Sequence, residues 1–426
     1  MSTLTGLPSV ERSKLAELAL AAIAQRRDEL IAISRDIHAH PELSYEEVHA
    51  HALLSDALER WGFRVERGVG GTPTAFRASA GSGAPTIAFL AEYDALPEIG
   101  HACGHNLIAM SNVGAALGAK AALGDTPGTI EVVGTPAEEG GGGKIRLIEA
   151  GVFDGVDVAL SSHPGSHLTV IPEKLEGPGG LLAMIGFRYA YHGRSAHAAV
   201  APHEGINALN AVLRLFSGID ALRQHLRDDV RIHGVITDGG KAPNVVPDFA
   251  AANFMLRARD REYLAEVVEK VRGVAEGAAL ETGARLELQP YYPLPTPSGT
   301  HGMYENFRPN LPLTLRARAN APRAGLALDE PPAGPRHGAG GPSSDIGNVS
   351  QRVPTFNLSF AVAKTPTPGH SPAMREAAIT DLAHRNALAV AGTLALTAVD
   401  VLTDPALLEA ARADFADRGT AMEGTR

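Results

Sequence analysis

The 426-residue chain contains a single cysteine, Cys103. No intramolecular disulfide is possible, so the thiol is a buried apolar group, a reactive thiol or a metal ligand, and its neighbours must decide which. Aromatic residues make up 5% of the chain against 44% hydrophobic residues overall, which implies a core of Ala, Val and Leu with few rings. Basic residues are the minority, 38 Lys and Arg against 48 Asp and Glu, for a net charge of −10. Without clustered positive charge to neutralise phosphates, nucleic acid is not an expected partner. The longest late apolar run, residues 387–402 with Arg385 just before it and Asp400 near its end, is shorter than the roughly 20 residues that span a bilayer, so it reads as a buried helix and no membrane partner is expected. The N-terminal stretch lacks the charged-then-apolar pattern of a secretory signal, and a cytoplasmic location is expected.

The length exceeds the roughly 250–300 residues at which a single core stops growing, so at least two domains are expected. Apolar positions recur at helical spacing from Ser13 to His38, up to Pro41. Three short apolar runs then end in polar residues: Ile87 to Ala91 before Glu92 and Asp94, Ile130 to Val133 before Glu138 and Glu139, and Val156 to Leu160 before His163. Strand-length runs separated by helical stretches predict an α/β fold with a mostly parallel sheet. Ligands in such sheets bind beyond the carboxyl ends of the strands, where all three polar clusters fall. From about Leu182 to Pro290 the pattern changes to strands at Met184–Tyr191, Arg231–Thr237 and Phe249–Arg257 with helices at Gly205–Leu222 and Arg261–Thr282. This predicts a smaller α+β unit, residues 182–290, inserted between the two parts of the first domain, 1–181 and 291–426. Residues 292–342, rich in Pro and Gly, read as mostly loop before a strand at Thr355–Phe360 and a final helix at about Arg375–Leu402.

Cys103 and His105 lie two apart, a spacing that lets extended backbone present both side chains on one side. Glu138 and Glu139 follow an apolar strand and precede four glycines, where bare backbone allows a ligand to approach. One carboxylate of such a pair is able to hold a cation while the other takes a proton from water. His163 and His370 each occupy the end of a strand or the turn beyond one. Thiolate, imidazole and carboxylate together suit Zn²⁺ or another first-row ion better than Mg²⁺ or Ca²⁺.

The motifs resemble those of the M20 metallopeptidases, in particular the branch of N-acyl amino acid amidohydrolases and aminobenzoyl-glutamate hydrolases. The matching segments include His40-Pro-Glu-Leu-Ser44, Glu92-Tyr-Asp-Ala-Leu-Pro97, Gly100-His-Ala-Cys-Gly-His105, Thr135-Pro-Ala-Glu-Glu139, Ala196-His-Ala-Ala199, Pro243-Asn-Val-Val-Pro247 and His370-Ser-Pro372. The resemblance implies an α/β metallohydrolase domain with an inserted α+β lid that mediates homodimerisation. It implies Cys103, His105, Glu139, His163 and His370 as ligands to one or two Zn or Mn ions per chain, and Glu138 as general base. It further implies His197 and Asn244 near the substrate or the developing oxyanion, and Asp94 orienting the metal site, with Asp345 in a similar role. Two departures, Asn106 where many relatives have Asp and Glu92 where peptidase branches have a liganding His, resemble the aminobenzoyl-glutamate hydrolase subgroup and leave the number of metals open.

The expected reaction is hydrolysis of a C–N bond by metal-activated water, with the amide of a dipeptide, N-acyl amino acid or aminobenzoyl-glutamate as substrate. Deamination of an aminoaromatic acid on the same scaffold is the alternative, and a non-catalytic metal-binding dimer a remote one. A small carboxylate-bearing substrate is expected, with Arg188, Arg194, Arg257 and Arg323 as candidate partners for the carboxylate.

Overall fold

The computed structural model describes residues 9–174, 180–295, 302–330 and 341–423. These divide into two compact units, one drawn from Met1–Gly179, Arg308–Ala333 and Asn348–Arg426, the other from Gly180–Phe307 and Gly334–Gly347.

In the first unit, six strands form one sheet: β1 (Arg64–Arg67), β2 (Phe76–Ser82), β3 (Thr86–Ala91), β4 (Gly128–Gly134), β5 (Val158–Pro164) and, from the far end of the chain, the strand Thr355–Phe360. Their spatial order is β1-β2-β4-β3-β5 and then Thr355–Phe360. The last four strands run parallel, while β1 and β2 add an antiparallel edge. β3 is buried at five of its six positions, as a strand covered on both faces must be, and its carboxyl end meets the same sheet edge as those of its parallel neighbours. The helix His105–Leu123, almost wholly buried, packs against the helix Asp381–Thr403. The latter is long and apolar enough to cross a membrane, yet 78% of its apolar window is buried inside the molecule. Small side chains, Ala above all, line both helices, which lets a buried helix pair fill the core without large rings.

The second unit holds four strands: β6 (Ala183–His192), β7 (Arg231–Asp238), β8 (Phe249–Ala258) and β9 (Arg285–Tyr292). All pair antiparallel in the order β7-β8-β6-β9. The helices Ala208–Arg223 and Arg261–Thr282 bury Leu215, Ile219, Leu264, Val267 and Val271 in a core shared with the sheet. Asn207 and Asp260 cap these helices, accepting from the amides of Asn210 and Tyr263, a standard way to satisfy the first free N–H groups.

The structure departs from the sequence reading in several places. The single N-terminal helix is two, Ser9–Gln25 and Arg27–Ala39, and the final helix is broken into Pro372–Ala377 and Asp381–Thr403, where the Thr380 side chain caps the new start. The stretch read as loop contains the helix Leu311–Asn320, capped by Asn310. The second unit runs past Pro290, because Met184 and Tyr304 exchange backbone hydrogen bonds of 2.8 and 2.9 Å and the Tyr292 and Tyr304 rings sit 5.8 Å apart.

Candidate metal centre

The carboxyl ends of the parallel strands carry the site. β3 leads into Glu92 and Asp94, and β4 leads into the turn bearing Glu138 and Glu139. His163 lies within β5, which pairing of Phe360 with Pro164 extends beyond the reading from sequence. His370 follows the strand Thr355–Phe360, its amide held by the Ala102 carbonyl at 3.1 Å, in a left-handed conformation with φ 52°. That bond brings the otherwise half-exposed His370 beside the Cys103 segment.

Two local constraints set the ligand geometry. Gly104, between the thiol and His105, has φ 78°, and a Cβ there would come within 2.8 Å of Pro164 Cγ, so only glycine fits. The residue before Glu138, Ala137, also adopts positive φ, 60°. This strained turn is held from outside by Glu47, whose Oε1 accepts from the amides of Ala137 at 2.8 Å and Tyr45 at 2.9 Å.

The ligating atoms converge. Cys103 Sγ is 3.5 Å from His163 Nε2, and His370 Nε2 is 3.3 Å from Glu139 Oε1. His105 Nε2 is 3.8 Å from Glu138 Oε2 and 3.9 Å from Glu139 Oε1. Two donors each about 2.0–2.3 Å from a tetrahedral ion lie about 3.3–3.8 Å apart, so these separations come close to those around a common cation. Three candidate donor groups result, Cys103 with His105 and His163, Cys103 with Glu139 and His370, and His105 with Glu138 and Glu139; within each, the atoms lie within 4.8 Å of one another. The five residues expected as ligands are thus brought together, with Glu138 beside them.

The donor chemistry fits a transition-metal ion. His105 Nδ1–H donates to Asp94 Oδ1 at 2.8 Å, and His163 Nδ1–H donates to the Pro164 carbonyl at 2.8 Å. Each bond fixes the tautomer that leaves Nε2 available as a metal donor. His105 Nε2 is buried with no hydrogen-bond partner among the described residues, an expensive state unless an ion takes that lone pair. Burial pushes the Cys103 thiol well up, so ionising it requires an adjacent cation. Burial alone would also raise the Asp94 carboxyl, but the charge of His105 and its hydrogen bond hold it below its ordinary value. Asp94 Oδ2 accepts from the Glu139 amide at 2.8 Å, so one carboxylate orients both His105 and the Glu139 turn.

Several functional neighbours were not evident in the sequence. Lys144 is fully buried and pairs with Glu92 Oε1 at 2.8 Å, while Glu92 Oε2 faces His105 Nε2 at 3.8 Å. Glu92 thus reaches the rim of the centre with one oxygen and a fixed cation with the other. Asn106 donates to Ser34 Oγ at 2.9 Å and the Ala378 carbonyl at 3.1 Å. An ionised aspartate cannot make those two donations, which explains the departure at this position. Glu92 and Asn106 stood out in the sequence as departures from the family pattern, but nothing there signalled Lys144 or Ser34 as their partners.

His197 and Asn244 belong to the second unit, where they are neighbours: His197 bridges Val245, and the Ala198 amide donates to the Asn244 carbonyl at 3.0 Å. Asp345, also in that unit, is buried. Of the four arginines, Arg188 pairs with Asp238 at 3.2 Å, Arg194 donates to the Glu204 carbonyl and Arg323 donates to Asn320 at 2.8 Å. Arg257 donates to the Gly341 carbonyl at 3.4 Å and Ser343 Oγ at 3.2 Å. No carboxylate pairs with it among the described residues, and partial burial lowers its pKa.

Residues 180–283 match the family model of a peptidase dimerisation domain, M20_dimer. The chain is 38% identical to the Xaa-Arg dipeptidase of Mus musculus, with 96% of each chain covered. It is 33% identical to one of the subunits of the p-aminobenzoyl-glutamate hydrolase of Escherichia coli, over 91% of this chain and 92% of that one. Among solved structures it resembles a dinuclear metal-binding M20 peptidase of Bacillus subtilis, with a TM-score of 0.67 at 24% identity over 89% of this chain and 99% of the other.

Proposed function

The chain belongs to the M20 metallopeptidase family, and from that premise we propose that it cleaves the amide of a small carboxylate-bearing substrate, a dipeptide, an N-acyl amino acid or an aminobenzoyl-glutamate-like molecule. Its relatives are named as a dipeptidase, an aminobenzoyl-glutamate hydrolase and an N-acetyl-L-cysteine deacetylase, names that share hydrolysis of an amide C–N bond. The observation that carries the reading is a buried carboxylate, Glu138, beside five convergent metal donors.

Cys103, His105, Glu139, His163 and His370 would hold the metal. Bound there, a divalent ion of the Zn or Mn type supplies the Lewis acidity that lets water act as a nucleophile near neutral pH. Glu138, only 5% exposed, takes the proton of the attacking water and returns it to the leaving nitrogen. Asp94 keeps His105 in its donor tautomer, and Glu47 keeps the turn that presents Glu138. His197 and Asn244 are assigned to steadying the developing oxyanion, and Arg257, which pairs with no carboxylate among the described residues, to the substrate carboxylate. We further propose that these residues would hold two ions per chain: they form more than one three-donor group, two of which include Cys103, and the Bacillus subtilis relative is described as dinuclear. A cytoplasmic homodimer is proposed, the latter on the match to a dimerisation domain.

The test is a screen of metal-replete enzyme against amide and aminoaromatic substrates, with products identified by mass spectrometry. Two organic products support amide cleavage, whereas ammonia with a single organic product indicates deamination. Glu138→Gln is expected to lower kcat by about 10²–10⁴ with metal content unchanged. Near-normal turnover in that variant removes Glu138 from the role.

A further inference from the structure

Away from the metal centre, Asp36, His40 and His49 also bring three ligating atoms within 4.8 Å of one another. Asp36 lies in the last turn of the helix Arg27–Ala39 and His40 is its C-cap, four residues on, so the two project from one face. His49 enters from the first turn of the helix Val48–Arg60. Asp36 Oδ1 is 2.5 Å from His49 Nε2 and 3.2 Å from His40 Nδ1. The two imidazoles lie against each other with ring centroids 4.6 Å apart. Side-chain exposures of 41–58% leave the cluster open to solvent, so an entering ion is able to keep water in its remaining positions. The neighbouring cation, Arg35, is turned toward Asp381 at 3.8 Å.

We propose that Asp36, His40 and His49 form a peripheral site for a first-row divalent cation such as Zn²⁺ or Ni²⁺, separate from the thiolate centre. Two imidazoles and one carboxylate are the donor set such ions favour, whereas Mg²⁺ and Ca²⁺ call for oxygen alone. On binding, the ion displaces to solvent the proton that His49 Nε2 directs at Asp36 Oδ1 and the proton that His40 Nδ1 directs at Asp36 Oδ1 and, at 2.9 Å, at the Asp36 carbonyl.

The position of the site gives it a consequence. His40 and His49 bracket the loop that braces the catalytic residues. Within it the Glu42 carboxylate accepts from the amides of His49 at 2.8 Å and Ala50 at 2.9 Å, and the Glu42 carbonyl accepts from the Ala95 amide at 2.8 Å. Ser44 reaches Asp94 at 3.4 Å, and Glu47 holds Ala137. An ion joining the two ends of this loop stiffens it without touching substrate.

The experiment is calorimetric titration of Ni²⁺ into holoenzyme freed of loosely bound metal, beside His49→Ala and His40→Ala. The wild-type enzyme is expected to take up one ion beyond its catalytic complement and to gain in Tm. Each variant is expected to bind that ion at least about tenfold more weakly, with unchanged kcat in the absence of added Ni²⁺. With Co²⁺ as probe of the holoenzyme, the extra ion adds only weak ligand-field bands and no thiolate-to-cobalt charge-transfer band, because no sulfur coordinates it. Melting curves without added metal show that each variant is folded, and the exposed His40 provides a second variant if the His49 change disrupts the helix start. Equal uptake by the wild type and a folded variant, or no additional ion in the wild type at millimolar Ni²⁺, overturns the proposal.

Discussion

Glu47 offers the sharpest quantitative test of how the site is held. Its carboxylate is buried, Oε1 accepts two backbone amides, and Oε2 has no hydrogen-bond partner among the described residues. Burial first, and the nearby Asp94 charge second, push its pKa up to about 7 from the ordinary 4.5. The folded chain therefore holds this proton more tightly than the unfolded chain. The corresponding stabilisation is complete below pH about 4.5 and is lost as pH rises toward about 7, beyond which it no longer changes. A shift of about 2.5 units at 1.36 kcal/mol per unit amounts to about 3 kcal/mol. Glu47→Gln mimics the protonated side chain and keeps an oxygen for Tyr45 and Ala137, so it should match the wild type at pH 4 and exceed it by about 3 kcal/mol at pH 8. The chain has one tryptophan, Trp61, buried in the first unit close after the helix that begins beside Glu47. Its fluorescence during urea unfolding of metal-free protein, measured from pH 4 to 8, reads the difference between the two proteins, from which other titrations largely cancel. A difference that stays flat across this range, or a glutamate form more stable at pH 8, refutes the reasoning.

Three further outcomes are expected. Lys144→Met strands the buried Glu92 charge and should cost about 3–5 kcal/mol in unfolding free energy, most of it recovered when Glu92 is replaced by Leu in the same chain. Asp94→Asn removes the carboxylate that holds the His105 tautomer and should weaken metal affinity by about 10–100-fold in chelator competition, with the fold intact by circular dichroism. Gly104→Ala forces a Cβ to 2.8 Å from Pro164 Cγ at φ 78° and should cost about 1–3 kcal/mol, with a measurable loss of metal affinity since both neighbours are donors.

The candidate metal donors were legible in the sequence because they lie in or beyond the carboxyl ends of apolar strands, and in a parallel sheet strand ends gather at one edge. The residues that hold those residues were not. Glu47 sits in Ser44-Tyr-Glu-Glu47, which reads as the acidic, exposed start of a helix, and only the packing of the β4 turn against it makes it buried. Lys144 reads as a surface lysine, yet the fold encloses it with Glu92. β1 and β9 escaped notice for a related reason: every position in them is exposed or half-buried, so neither shows the alternation of apolar and polar faces that marks a strand. The break after Gln25 has no Gly or Pro to announce it, so helical spacing carried straight through.

Charge explains why this constellation holds together. Glu92, Asp94, Glu138 and Glu139 all approach His105 within 3.9 Å, and unpaired buried carboxylates are costly enough to shift their pKa or unfold the region. Lys144 supplies one fixed cation to this group, through Glu92. With Cys103 ionised as well, such a crowd of acids calls for further positive charge at the centre, which divalent ions would supply. The proposed dinuclear centre and the buried lysine are thus parts of one electrostatic solution, in which Glu92 is neutralised by a side chain instead of by an ion. That division of labour agrees with the role proposed for Glu138, beside the donors without being one of the five, in carrying the proton.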